Sequence, residues 1–358
     1  MSLRICALRA AFSATLLTVC ACSAASAQEA CEPLSIAASV NLAHRGTNVL
    51  PFVPVSLAGS QKYMLLDTAD TLSEITPEAA DAMHLSRRLM HIRHYNRAGE
   101  YSKEAVDVGP FQLGVLSTPS IELVVSPSQH LFGKSGDQIV GILAPNVLMK
   151  YDVDVDFGSG KLNLISPDHC EGKVIYWPAK AIAVVPIKVE GTSSRVSEQG
   201  KIIIPVTIDG QHLDALLDTG AAASVLDREA AESNFGLKMG SADTPYAHDM
   251  FGKPGVAVYR HKFQSLDFEG IAIQNLDIDI LPNFATGQLS MGPDVGSRLA
   301  ASDAVEVPEL VIGMNVLRHL HLYISYAEKK LYITPAGSPP ANPPMIGVDE
   351  PSIAVAGQ

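Results

Sequence analysis

The chain has 358 residues, 47% hydrophobic and 18% charged, with a formal net charge of −12 at pH 7. That is long enough for two domains with real cores, and its composition argues against disorder for most of its length. The acidic balance, with no basic cluster to reverse it, disfavours nucleic acid and anionic membrane surfaces as partners.

The N-terminus reads as a signal peptide over residues 1–27. Arg4 and Arg9 form a short basic region, Ala10 to Val19 is apolar but too short to span a bilayer, and Ala25-Ser26-Ala27 offers a small-x-small cleavage site. Cleavage would remove two bases and no acid, leaving about −14 (−12 − 2). The alternative takes Val19-Cys20-Ala21-Cys22 as a lipid-attachment box, with Cys20 an unusual residue in it. The expected location is export to a periplasm or the medium, without stable membrane insertion. Cys31 and Cys170 are the two cysteines left after cleavage. In an oxidising compartment they either pair, tying the ends of one lobe together, or remain free, inert thiols.

A first lobe is expected over 35–167, a connector over 168–200, a second lobe over 201–335 and a Pro-rich, disordered or extended tail over 336–358. Runs such as Ile202 to Ile208, Ile271 to Leu281 and Tyr323 to Tyr326 read as short strands, and Ile182 to Val189 adds one in the connector. Asp209-Gly210 signals a hairpin. Thr76-Pro77-Glu78 opens a short helix over Ala79 to His84, and Asp227 caps another over Arg228 to Asn234. Residues 285–309 have no counterpart in the first lobe and read as a loop insertion that could border a cleft. Trp177, the only tryptophan, is expected to pack between the lobes.

The two lobes repeat one another. Leu65-Leu66-Asp67-Thr68-Ala69-Asp70 matches Leu216-Leu217-Asp218-Thr219-Gly220-Ala221 at an offset of 151 (218 − 67). Without gaps, Ser73 falls on Ser224 and Ala79-Ala80 on Ala230-Ala231, and upstream Pro54 to Gly59 matches Pro205 to Gly210. Downstream, Ile139-Val140-Gly141 is set against Val311-Ile312-Gly313, each followed by Asn-Val-Leu (146–148 and 315–317). Gly141 and Gly313 are taken as equivalent structural glycines. Each copy closes with an alternating stretch, Tyr151 to Leu164 and Leu320 to Ile333.

A carboxylate at the end of an apolar strand is costly without a partner, and two copies suggest that each aspartate is the other's. At ~3 Å and an effective dielectric near 20, two such charges repel by ~5 kcal/mol, roughly 4 pKa units. Asp67 and Asp218 would then share one proton over a wide pH range. The ionised oxygen can take a proton from a bound water while the neutral partner donates to the carbonyl under attack, which hydrolyses an amide without metal or covalent intermediate. Thr68 and Thr219 supply hydroxyls that can bond across the interface, and the small residues Ala69 and Gly220 let backbone N–H groups approach the carboxylates.

Leu217-Asp218-Thr219-Gly220-Ala221-x-x-Ser224-Val225-Leu226 resembles the active-site strand and turn of retropepsin-like aspartic proteases, and Val311-Ile312-Gly313 their apolar-apolar-Gly element. The resemblance covers roughly residues 50–335. It implies an all-β fold of two retropepsin-like β-barrel lobes in pseudo-twofold arrangement, with few short helices, both lobes in one chain. It also implies an aspartic endopeptidase whose catalytic pair is Asp67 and Asp218, with Thr68 and Thr219 as bracing hydroxyls. No cofactor or metal is implied; the partner is a peptide or protein substrate, and the chain is a monomer with an internal pseudo-dimer. Lobe one departs at Ala69, where the family has Gly: a need for φ > 0 there would strain the backbone by about 1 kcal/mol. Asp70 adds a third carboxylate, which either binds substrate backbone or an arginine, is solvated, or is structural; Ala221, its counterpart, is a further candidate for contact with substrate. The resemblance further implies flaps, with candidates at Arg93 to Lys103 and His248 to Val256. These would bring Tyr95 and Phe251 to substrate.

His91 and His94, or His319 and His321, could share a face, but no carboxylate or cysteine spacing accompanies them, so surface or half-buried histidines are expected. No Gly-x-Ser-x-Gly elbow or phosphate-binding glycine loop occurs. Two other readings remain: a non-catalytic peptide-binding module of the same fold, and a protease active only as an intermolecular dimer of the C-terminal lobe.

Overall fold

The computed structural model describes residues 31–45, 49–95, 100–128, 132, 138–190, 200–250, 255–282, 308–341 and 344–346. The proposed signal peptide, Phe251 and most of the 285–309 insertion lie outside them, as does the side chain of Tyr95. In chain order the first half forms β1 (Ile36–Asn41), β2 (His44–Arg45), β3 (Phe52–Leu57), β4 (Ser60–Leu66), β5 (Glu74–Ile75), α1 (Pro77–Ala82), β6 (Arg88–Tyr95) and β7 (Tyr101–Val108). It continues with β8 (Phe111–Leu113), β9 (Leu116–Thr118), β10 (Ile121–Val125), β11 (Ile139–Leu143), α2 (Pro145–Leu148), β12 (Asp152–Asp156) and β13 (Lys161–Ile165). The connector supplies β14 (Ala183–Pro186) and β15 (Lys188–Glu190). The second half forms β16 (Lys201–Ile208), β17 (Gln211–Leu217), β18 (Val225–Asp227), α3 (Arg228–Phe235), β19 (Tyr246–Asp249), β20 (Ala257–Asp267), β21 (Ala272–Leu281), β22 (Leu310–Ile312), α4 (Met314–Leu317), β23 (Leu320–Ser325), β24 (Lys330–Pro335) and β25 (Met345–Ile346).

Local chemistry sets these elements. Ala58-Gly59 and Asp209-Gly210 both take positive φ, the two-residue turn that closes β3 on β4 and β16 on β17 in antiparallel register. Thr76 and Asp227 cap α1 and α3 by accepting from Ala79 N–H and Glu229 N–H. Gly236, left-handed at φ 65°, ends α3.

The sheets of the two lobes share one strand order. The first lobe's sheet contains the run β6-β7-β10-β5-β11-β4-β3, extended by the β8–β9 hairpin. The second lobe's contains β19-β20-β21-β18-β22-β17-β16, the same order, extended by β15, and β20 also pairs with β16 so that the sheet closes on itself. In both lobes the strand carrying the Asp-Thr motif runs parallel to a buried apolar strand, β4 with β11 and β17 with β22. The fold is the two-lobed acid-protease arrangement that the resemblance implied.

A third sheet, β1-β13-β12-β23-β24-β14, joins the lobes. Its central pair is one strand from each: Val153 faces Ile324 and Asp156 faces His321 in antiparallel register. The alternation of β12 turns Asp152, Asp154 and Asp156 to one face, yet all three are buried. The stretch 168–177 of the connector covers that face and brings partners. His169 Nε2 lies 2.7 Å from Asp152 Oδ2, Tyr176 O–H and Asn163 N–H donate to Asp154 Oδ2, and His321 Nε2 lies 2.5 Å from Asp154 Oδ1. Trp177 stacks on His321 at 3.8 Å and donates to Thr334. A disulfide between Cys31 and Cys170, Cα atoms 4.8 Å apart, pins the connector to the entry of β1.

Two expectations are corrected. His321 is buried against Asp154 and is not a surface or half-buried residue, because Trp177 and the connector close over it. The tail is not wholly disordered: β25 pairs in parallel with β2, and Ile346 is buried against Phe52 and Ala43. Replacing Asp154 with Ala leaves the buried His321 without its carboxylate partner and removes the acceptor shared by Tyr176 and Asn163. It should cost about 3–5 kcal/mol, read as a lower urea midpoint at pH 7.

Candidate active site

Each Asp-Thr motif follows a strand whose last leucines are buried, Leu65-Leu66 in β4 and Leu216-Leu217 in β17. Each aspartate N–H donates to the carbonyl that ends the parallel neighbour, Asp67 to Leu143 and Asp218 to Ile312, at 3.0 Å in both lobes. The two loops then meet through their threonines. Thr68 N–H donates to Thr219 Oγ1 (3.1 Å) and Thr219 N–H to Thr68 Oγ1 (3.2 Å). Thr68 O–H donates to Leu217 O (2.8 Å) and Thr219 O–H to Leu66 O (2.7 Å). All four bonds cross from one lobe to the other, with both threonines buried.

The carboxylates converge at Gly220. Its N–H donates to Asp218 Oδ1 at 2.9 Å, and a Cβ at this position would stand 2.1 Å from Asp67 Oδ2. Glycine is therefore required by close approach, not by φ. Ala69 N–H and Asp70 N–H both donate to Asp67 Oδ1, at 2.9 and 3.0 Å. Ala69 does not adopt positive φ, so the strain anticipated there does not arise; its methyl packs beside Ile203, Leu216 and Val311. Asp218 is fully buried and Asp67 half-buried. Ala221 N–H turns back to Asp218 O, and Ala221 O accepts from Met314 N–H.

Behind each loop stands a bracket that the sequence reading left out. Ser73 donates through N–H and O–H to Asn146 Oδ1 and accepts from Ala144 N–H. Ser224 does the same with Asn315 Oδ1 and Gly313 N–H. The bracket also corrects the glycine alignment. Ala144, not Gly141, is the counterpart of Gly313, at the offset of 169 that also relates Asn146 to Asn315. Both glycines are still forced by contact: a Cβ at Gly141 would lie 1.9 Å from Glu74 O, and one at Gly313 2.5 Å from Ala223 O.

Asp70 is half-buried and has partners on the protein side. Its Oδ1 accepts from Thr71 N–H and lies 3.7 Å from His94 Nε2, which in turn lies 2.5 Å from Glu74 Oε1. His94 and Glu74 are buried, correcting the expectation of a surface or half-buried histidine; His91 and His319 are exposed. Among the described residues this is the one place where three possible metal donors converge, within 4.8 Å of one another. Two ligands of one ion, each about 2.1 Å from it, stand more than 3 Å apart in a tetrahedron, so the 2.5 Å contact marks an ion-pair cluster. Burial, followed by the charge of Glu74, pushes the Asp70 carboxyl up to about 7, with His94 opposing and Asp67 adding to the rise. Burial alone would lower His94, but the hydrogen bond to Glu74 and the charges of Asp70 and Glu74 outweigh it and raise it.

Of the flap candidates, β6–β7 and β19–β20 are hairpins, with turns 96–99 and 251–254 outside the described residues. Tyr101 is exposed under the Arg93 guanidinium.

Two measurements follow. Thr219→Val leaves Thr68 N–H and Leu66 O without partners in a buried interface and should cost about 2–4 kcal/mol, seen as a lower melting temperature. The raised Asp70 carboxyl contributes stability present in full below its ordinary value, 3.8, and lost as pH climbs through about 7. Asp70→Asn should therefore gain on the wild type, by on the order of 2 kcal/mol, between pH 5 and pH 8; parallel melting curves over that interval would refute it.

Residues 204–316 match the aspartyl protease family. No curated protein matches the chain. Among solved structures, basic 7S globulin from soybean and conglutin gamma from lupine seeds each align at 10% identity and a TM-score of 0.46, over 84% of this chain and 95% of theirs. A third, edgp, aligns at the same identity and score over 84% of this chain and 94% of its own. The segment that carries Asp218, Thr219, Gly220 and Gly313 is thus similar in sequence to the aspartyl proteases.

Proposed function

We propose that the protein is an aspartic endopeptidase whose Asp67 and Asp218 activate one water. The observation that carries this reading is the convergence of both carboxylates on Gly220, from loops locked together by four threonine hydrogen bonds. Two N–H donors on Asp67 Oδ1 suit the charged partner, and the burial of Asp218 suits the neutral one. Asp67 takes a proton from the water as its oxygen bonds to the peptide carbonyl carbon, and Asp218 gives its proton to the carbonyl oxygen. Collapse of the tetrahedral intermediate breaks the C–N bond: the departing nitrogen takes the proton held on Asp67 while Asp218 takes one back from a hydroxyl of the intermediate, which restores the pair. Extended peptide would lie in the cleft as an added strand.

The working unit in this reading is one exported chain. The threonine hydroxyls find their acceptors within the same molecule, so a dimer of second lobes would first have to break those bonds. The rival reading, a module that holds peptide without cutting it, draws on Ala69 and Asp70 replacing the small pair Gly220-Ala221 of the other lobe. The test is cleavage of a denatured protein by the purified chain between pH 3 and pH 8. Asp218→Asn and Asp67→Asn should each lower the rate at least about 100-fold. An unchanged rate in Asp218→Asn overturns the mechanism, and peptide capture without turnover, equal in wild type and Asp67→Ala, favours the rival.

A further inference from the structure

The two lobes differ most where they should be most alike. Lobe one has Asp70 and Glu74 where lobe two has Ala221 and Val225. Asp70 is tied to the pair directly, since its N–H donates to the same Asp67 oxygen that Ala69 N–H contacts. Its carboxyl turns away toward His94, the buried histidine that Glu74 holds at 2.5 Å. Glu74 belongs to β5 and is fixed from behind, because the neighbouring Ser73 is bracketed by Asn146. His94 belongs to β6, the first strand of the hairpin at the flap position. The charges facing Asp70 and His94 are therefore Asp67 from the loop after β4, Glu74 from β5, and Lys201 from the start of β16.

Resting on the protease reading, we propose that Asp70 is a positioning residue that governs the pH range over which the Asp67–Asp218 pair keeps its single proton, with Glu74 and His94 holding it in place. Coulomb interaction is mutual: the charge on Asp67 helps keep the proton on Asp70, and a charged Asp70 in turn opposes a second negative charge on the pair. Because Asp70 changes charge near neutrality, its influence appears where the pair would lose its last proton. That places the effect on the alkaline limb of the activity profile, which Asp70 extends upward. The His94 cation acts in the opposite sense.

The experiment is the pH dependence of kcat/KM on a quenched peptide for wild type, Asp70→Asn and His94→Gln, from pH 3 to pH 9. In Asp70→Asn the alkaline limb should move to lower pH by up to about one unit, with the rate at the optimum within several-fold of wild type. In His94→Gln it should move the other way. Superimposable limbs, or a uniform loss at every pH, would overturn the proposal. If Asp70→Asn does not fold, Asp70→Ser should move the limb in the same direction, and no movement there is equally fatal. A second readout does not need turnover: the Asp70 carboxyl followed by carbon NMR in wild type and Asp67→Asn. Its midpoint should fall when the Asp67 charge is removed; an unchanged midpoint sinks the coupling. A falling midpoint in a protein that cleaves nothing would instead leave the coupling standing and count against the protease reading alone.

Discussion

The reciprocal bonding of Thr68 and Thr219 is the constraint on which the rest is built. A buried hydroxyl and a buried N–H each cost free energy unless they find partners. Here neither loop can satisfy its own: each hydroxyl donates to a carbonyl of the other lobe, and each N–H donates to the opposite hydroxyl. The loops are complete only when the lobes are together. The buried leucines before each aspartate and the Ser–Asn brackets behind each loop make the two surfaces rigid before they meet. Placement of two carboxylates against one glycine follows from that rigidity.

Within this symmetric frame the electrostatics are one-sided. Lobe two gives its aspartate the Gly220 N–H, complete burial and small neighbours. Lobe one gives two N–H donors, partial exposure and a further acid–histidine cluster. The pseudo-twofold of the backbone therefore does not extend to the surroundings of the two aspartates.

Much of this was legible in the sequence because the same motifs occur in both halves. The Asp-Thr motifs, the capped helices after Thr76 and Asp227 and the turns at Ala58-Gly59 and Asp209-Gly210 are local signals present twice, and the structure has all of them. The glycine alignment failed because Ile-Val-Gly and Val-Ile-Gly look alike, although their spacing to Asn146 and Asn315 differs. The clusters around Asp70 and Asp154 were out of reach for another reason. His94 comes 20 residues after Glu74 and His321 comes 167 after Asp154, so only the sheet order brings them together. No periodicity encodes that, and a histidine read alone looks like a surface residue. The prolines of the tail forbid helix but not the two-residue extended pairing of β25 with β2.

The sheet shared by the lobes also has a consequence for biosynthesis. β12 finds its cross-lobe neighbour only in β23, whose residues follow more than 160 positions later. A first lobe that orders before that stretch arrives, in synthesis or in export, has one edge of β12 open. The edge carries Asp152, Asp154 and Asp156, and acidic residues on an open edge disfavour pairing with a neighbouring polypeptide.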